Sequence, residues 1–172
     1  MSTEEEFSQS CVEVMSRIAA SVEVLTLEDP DGVLHGMTIT SLTSVASEPP
    51  AVLVCVSTAA SSHPFMVPGQ TFGANLLAAD QTPYSIGFSW GKSEHPFEDF
   101  EWKRAAKDTP VLTEAAAHMV CEIEQVTQYQ GSAVVMAKVI DCCVHKDETL
   151  VYWRRAYHGG LVPVEEGTTG KW

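Results

Sequence analysis

At 172 residues, 45% hydrophobic and 19% charged, the chain is long enough to bury a substantial core and too apolar to be disordered. Its formal net charge of −13 opposes long-range attraction to nucleic acid or to an anionic membrane, so neither is expected as a partner. No apolar run reaches membrane-spanning length, and the first residues, MSTEEEF, are acidic where a secretory signal would be basic; a cytoplasmic protein is expected.

The first predicted element is a helix from Glu4 to Ala20. Phe7, Cys11, Val14, Met15 and Ile18 recur at helical spacing, and Ser2 or Thr3 caps the start with Glu5 or Glu6 three residues on. Val22 to Thr26 and Val33 to Met37 then read as a hairpin about the turn Glu28-Asp29-Pro30-Asp31-Gly32. Next comes Gly36 to Ser57, the segment with the most functional promise. It carries hydroxyls at Thr38, Thr40, Ser41, Thr43 and Ser44, then Pro49 and Pro50, then the apolar run Val52 to Val56. The apolar run fits a buried strand. The hydroxyl-rich part reads as irregular, and its hydroxyls and free N–H groups suit a polar ring edge or a phosphate.

Ser57 to Gly69 is a loop suited to clasping a ligand, Thr71 to Leu76 a strand, and Leu77 to Phe88 a helix with Pro83 in its first turn. Ser89 to Thr109 reads as an irregular surface excursion with room for short helical turns. Three strands follow, Ala117 to Tyr129, Ser132 to His145 and Thr149 to Arg154, and a poorly ordered tail begins at Gly159. Many short strands with a terminal and an internal helix suggest a mainly β protein, a closed Greek-key barrel with helical decoration. Residues 1–160 form one expected domain and 161–172 a C-terminal tail.

Other candidate groups are weaker. Cys11, Cys55, Cys121, Cys142 and Cys143 are odd in number and lack metal-type spacing, which favours reduced thiols in a reducing compartment. Glu122 and Glu124 alternate with Cys121 and Ile123, as on the wet face of a strand. No metal site is expected. Arg154-Arg155 is the best basic pair, either a solvated surface feature or a contact to a dinucleotide phosphate or a partner subunit.

Several short motifs stand in series: Thr26-Leu27, Asp29-Pro30-Asp31-Gly32, His35-Gly36-Met37-Thr38, Thr43-Ser44-Val45, Glu48-Pro49-Pro50 and Val52 to Val56. Phe72, Asn75-Leu76-Leu77-Ala78, Asp80-Gln81, Phe88-Ser89, Pro110-Val111-Leu112, Val139, Leu150-Val151-Tyr152, Arg155 and Tyr157 continue the order. Together they resemble the flavin reductase family, the small NAD(P)H:flavin oxidoreductases of the FMN-binding split-barrel fold, over residues 10 to 160. The resemblance implies a split β-barrel, FMN or FAD together with NADH or NADPH, and a homodimer. It also implies hydride transfer from nicotinamide to flavin and delivery of reduced flavin to a partner monooxygenase. The alternative is a barrel of this family recruited for a non-reductase reaction on a small molecule, with flavin retained or lost.

Carried onto this chain, the resemblance places Met37, Thr38, Ile39, Thr40, Ser41 and Ser44 along the flavin. Cys55, Val56 and Ser57 supply contacts at a strand end, and Ser61 or Ser62 lies where a phosphate-binding side chain is expected. Asn75, Leu76, Gln81, Phe88 and Tyr157 complete the implied site. The family's nicotinamide-facing histidine has its match at Ser132 in an ungapped register. His118, His145 or His158 could take its place in space, but a lone histidine in or near a strand is more often structural.

Overall fold

The computed structural model describes residues 3–89, 93 and 95–161. Helix α1 (Glu4–Met15) opens on a reciprocal cap: the Thr3 hydroxyl accepts from the Glu6 N–H at 3.2 Å, and the Glu6 carboxylate accepts from the Thr3 N–H at 2.7 Å. The helix stops short of the predicted Ala20. None of its residues is buried, and Phe7, Val14 and Met15 are each 65% exposed, so no packing within the chain supports further turns.

The strands are β1 (Ala20–Ser21), β2 (Glu23–Glu28), β3 (Leu34–Ile39), β4 (Thr43–Ser47), β5 (Pro50–Ser57) and β6 (Thr71–Leu76). Helices α2 (Thr82–Gly87) and α3 (Pro96–Asp99) intervene before β7 (Trp102–Arg104), β8 (Pro110–Leu112), β9 (Ala117–Tyr129), β10 (Ser132–Val144), β11 (Val151–Trp153) and β12 (Ala156–His158). Three expectations change. Thr43 to Ser47, read as irregular, is an edge strand with every residue exposed. The internal helix is only Thr82–Gly87, because Leu77 and Ala78 are tied to neighbouring strands: the Leu77 N–H donates to Val22 O, and Ala78 bridges to Thr149. The excursion after Ser89 contains the β7–β8 hairpin in addition to the short helical turn α3 that the reading allowed. Of the predicted tail, residues 162–172 lie outside the described residues.

A seven-stranded antiparallel sheet runs in the order β3-β2-β6-β9-β10-β5-β4. Its opposite ends meet: Leu25, Leu27 and Ile39 share one buried cluster with Val52, Val54 and Val56 of β5 and with Phe72, Cys121, Ile123, Ala133 and Val135. A flat sheet could not bring β2 and β5 into one core, so the sheet curls into a barrel. The hydrogen-bond ladder nevertheless ends at β3 and β4. The barrel is therefore split, as the family resemblance implies, and is closed by packing rather than by pairing. Ser41, just beyond β3, helps bridge the gap: its Oγ donates to Cys55 O at 3.1 Å and accepts from the Cys55 N–H at 3.0 Å.

A second buried cluster lies outside the barrel, where Val22, Val24, Leu77, Phe88, Leu112, Ala115 and Leu150 pack with Tyr84, Phe97, Phe100 and Trp102. A polar brace anchors it. Asn75, fully buried, donates to Val24 O at 2.8 Å and to Thr26 Oγ1 at 3.0 Å, and accepts from the Leu112 N–H at 2.7 Å. Thr26 in turn donates to Pro110 O at 2.6 Å. Gly73 is required here, since a Cβ would stand 2.5 Å from Pro110 O and 2.6 Å from Thr26 Oγ1.

Glu23 is an exception to this satisfaction. It is 0% exposed, between Ile39 and Leu76 across the sheet, and neither carboxylate oxygen has a hydrogen-bond partner among the described residues. Burial pushes its carboxyl up to about 7, and the nearby Ser21 hydroxyl offsets only part of that rise. A group that holds its proton to higher pH in the folded state than in the unfolded chain costs stability as pH rises between the two values. The loss amounts to about 3 kcal/mol across that window, at about 1.4 kcal/mol per pH unit. Urea unfolding at pH 5 and pH 8 is expected to show Glu23→Gln losing this pH dependence and exceeding the wild type in stability at pH 8.

Candidate functional site

The free edge of β3 borders the main cavity. Antiparallel pairing with β2 uses the backbone groups of every second residue, so those between point away from β2. Thr38 shows the direction: its N–H donates to Phe88 O at 3.2 Å, and its hydroxyl to Ser85 O at 2.7 Å. Beside this edge lies a cavity of about 590 Å³, lined on one side by Leu34 to Thr38, on another by Ser57, Ala59, Ala60 and Ser61, and on the third by Gly87, Phe88, Ser89, Pro96 and Phe97. The volume suits a nucleotide-sized ligand, within the range of roughly 300–1,000 Å³ usual for small-molecule sites.

Gly36 is the narrowest point of this wall. A Cβ there would collide with the Phe88 ring and approach Phe97 at 3.2 Å. Phe88 has little room to yield, being 4% exposed, edge-on to Phe97 at 5.2 Å between centroids and 5.7 Å from Phe100. Ser89 Oγ donates to the same Ser85 carbonyl at 2.6 Å, and Ser85 Oγ lies 2.9 Å from the Tyr157 hydroxyl. α2 thus holds Phe88 against β3 through backbone and hydroxyl contacts.

Of the residues predicted for the site, Met37, Thr38, Ser57, Ser61 and Phe88 line the cavity. Ser62 is buried directly behind it, its hydroxyl 3.2 Å from Met37 Sδ. Tyr157 lies one contact further back, through Ser85. Ile39 and Val56 are core residues, and Thr40 and Cys55 are exposed beyond the lining. Ser41 and Ser44 sit at the split, toward β5 and on β4. Asn75 serves the brace already described, next to half-buried Leu76 at the end of β6. Gln81 is committed to scaffolding, accepting from the Ala78 N–H at 2.8 Å and donating to Glu114 O at 2.9 Å.

Ser132 opens β10, half-buried, in register with the cavity residue Ser57. The loop between these strands is pinned, since both the N–H and the hydroxyl of Thr58 donate to Gly131 O. None of His118, His145 and His158, read as more often structural than catalytic, lines the cavity. His118 is buried against His145, with Nδ1 3.2 Å from its Nε2, and burial together with His145 holds it below the ordinary histidine range. His158 contacts Trp153 O.

His35 is the histidine on the cavity wall. Its Nε2 lies 3.0 Å from Asp29 Oδ2, and its ring packs 4.8 Å from Phe65. The one sequence signal for it is its place in His35-Gly36-Met37-Thr38, six residues after a turn aspartate. Nothing local indicates that this turn folds back onto the ring.

An antiparallel split barrel with a cleft along one free strand edge defines a class of small nucleotide-binding β proteins, and the comparisons narrow it. The model of the flavin reductase like domain matches residues 15–161, and the chain belongs to that family. It is similar to the FMN reductase (NADH) RutF of Pantoea ananatis, 31% identical over 147 residues covering 84% of this chain and 76% of that one. Among solved structures it is similar to the styrene monooxygenase flavin reductase of Pseudomonas putida S12, with a TM-score of 0.80, 28% identity, and 89% and 98% of the two chains covered. It is also similar to BorF, the flavin reductase component of a bacterial two-component tryptophan halogenase, with a TM-score of 0.78, 27% identity, and 88% and 97% covered.

Flavin fits the residues present. The lining offers hydroxyls from Thr38, Ser57, Ser61, Ser89 and Ser93, apolar wall from Leu34, Met37 and Phe97, and a bare strand edge. Gly36→Ala is expected to displace the Phe88 ring and destabilise the fold by about 1–3 kcal/mol, the usual cost of overpacking. Chemical denaturation measures that loss, and reduced ligand affinity in the folded fraction shows that the cavity wall has moved.

Proposed function

We propose that this protein is an NADH-dependent flavin reductase that binds FMN along the free edge of β3 and passes reduced flavin to a separate monooxygenase. The observation that carries the reading is the cavity itself. Met37, Thr38, Ser57, Ser61 and Phe88, separated by up to 51 positions in the chain (88 − 37), meet around one cavity of nucleotide size. The backbone of β3 would hold the ring edge, and Ser57, Ser61 and the loop amides would hold the phosphate. Bound flavin supplies the redox chemistry, as hydride acceptor from the nicotinamide. The protein aligns the two rings and screens them from water. Ser132, beside Ser57, is the proposed neighbour of the nicotinamide, with one hydroxyl to donate and no capacity to become a cation.

Similarity to a named FMN reductase (NADH) supports FMN and NADH as the first pair to test, with FAD and NADPH as the alternatives. A homodimer is part of the proposal: Phe7, Val14, Met15 and Ile18 on and just after α1 are all more than half exposed, an apolar surface that a second subunit would cover. A cytoplasmic location fits the five free cysteines.

Fluorescence titration with FMN is expected to saturate, and NADH oxidation to depend on added flavin. An absence of saturable FMN binding would sink the reductase assignment. Replacing Ser57 and Ser61 together by alanine is expected to weaken FMN binding by about 1–3 kcal/mol, since hydrogen bonds to a charged group are lost. Sedimentation of the wild type as a dimer, and of Phe7→Glu with Met15→Glu as a monomer, tests the interface.

A further inference from the structure

We propose that His35 is the catalytic proton donor of this site, positioned by Asp29. The inference rests on the flavin reductase reading and adds to it a residue and a role. Among the described residues lining the cavity, His35 is the one with an ionisable side chain. The rest of the lining is apolar, hydroxylic or glycine.

The imidazole is held from two sides. Asp29 Oδ2 is 3.0 Å from Nε2. The other carboxylate oxygen, Oδ1, accepts from the N–H groups of Asp31 and Val33, both at 2.9 Å, so the carboxylate is itself fixed by the turn. Phe65 packs on the ring from the loop side. The side chains of His35 and Asp29 are 13% and 7% exposed.

A carboxylate only accepts, so Nε2 carries the hydrogen and the exchangeable position is Nδ1. Nδ1 has no partner among the described residues, and it does not belong to the buried atoms that lack one. The hydrogen bond from His35, then those from the turn backbone, hold the Asp29 carboxyl below its ordinary range; it therefore stays anionic at neutral pH and remains an acceptor for Nε2–H. Charged groups on neighbouring elements are committed elsewhere: Glu28 to Arg104, and His63 to Gln128 at 3.2 Å.

The chemistry calls for such a group. Hydride from NADH carries two electrons and one proton to the flavin and leaves NAD+; a second proton is required for neutral reduced flavin. His35 supplies that proton from Nδ1 as the imidazolium and recovers it from water. Asp29 stays ionised throughout and acts only through His35.

Two measurements test this. In nitrogen-15 spectra of the imidazole, added FMN is expected to shift Nδ1 of His35 while Nε2 stays bonded to Asp29. In steady-state kinetics, His35→Gln is expected to lower kcat by about 100-fold or more, the usual share of general acid catalysis, and to flatten the pH profile while FMN affinity stays near that of wild type. Asp29→Asn retains the imidazole and is expected to change its tautomer and pH profile, which a purely structural role would leave unmoved; it also serves if His35→Gln does not fold. A wild type that reduces flavin rapidly while His35 is unmoved by saturating FMN, or a His35→Gln variant with wild-type kcat and pH profile, overturns the role of His35 alone. A wild type that neither binds FMN nor oxidises NADH overturns the reductase reading as well.

Discussion

A sheet that curls until its ends share one core, yet does not pair them, leaves a strand edge bare, and this site depends on that bare edge. Among the described residues, the edge of β3 keeps unpaired backbone groups beside a cavity, and only part of it is spent on the chain itself, through the Thr38 N–H to Phe88 O. An exposed edge is ordinarily a liability that invites strand pairing with another chain. Here, among the described residues, the Ser57–Ser61 loop on one side and Gly87, Phe88, Ser89, Pro96 and Phe97 on the other flank it, with a cavity between them.

Holding those flanking segments apart takes a rigid support. The buried amide of Asn75 and the hydroxyl of Thr26 bind β2, β6 and β8 into one unit, with Gly73 permitting the close approach. Gln81 ties the entry of α2 to Glu114 O, and Tyr84 stacks on Phe100 at 4.2 Å. A buried polar network of this kind is favourable only when every member is satisfied, and these members are. The consequence for the site is a fixed position for Phe88, whose ring touches the space left by Gly36.

Charge makes a second constraint. The chain carries a formal net charge of −13, yet the proposed ligands are anionic nucleotides. Long-range attraction therefore works against binding, and the lining must compensate at short range. The described lining does so with hydroxyls and backbone dipoles. Such a site binds an anion less tightly than one with an arginine fork would. Modest affinity would suit the proposed release of reduced flavin to another enzyme.

The elements legible in the sequence were those specified by contacts close in the chain. The hairpin around Asp29–Gly32, the strand Thr71–Leu76 and the long strand Ala117–Tyr129 follow from alternation and turn residues. The family resemblance named Met37, Thr38, Ser57, Ser61 and Phe88 among its site residues, and these line the cavity. Short or unusual elements were not legible. The turn between β11 and β12 uses Arg154 and Arg155 at φ of 50° and 62°, where glycine or asparagine would have announced a hairpin. Thr43–Ser47 carries no alternation of burial to mark it as a strand, because it lies at a sheet edge with every residue exposed.

What only the tertiary structure decided was the use of each polar side chain. Asn75 and Gln81 stand in the motif series beside true lining residues, but their amides saturate distant backbone groups, and sequence carries no record of which partner a buried amide finds. His35 shows the reverse case. Its residue type and its turn aspartate were visible, but its meaning depends on β3 being an edge and on Phe65 folding over the ring, both set by contacts across the sheet. Local pattern specifies strands and turns because their physics is local, whereas a cavity is a relation among segments that only the folded chain brings together.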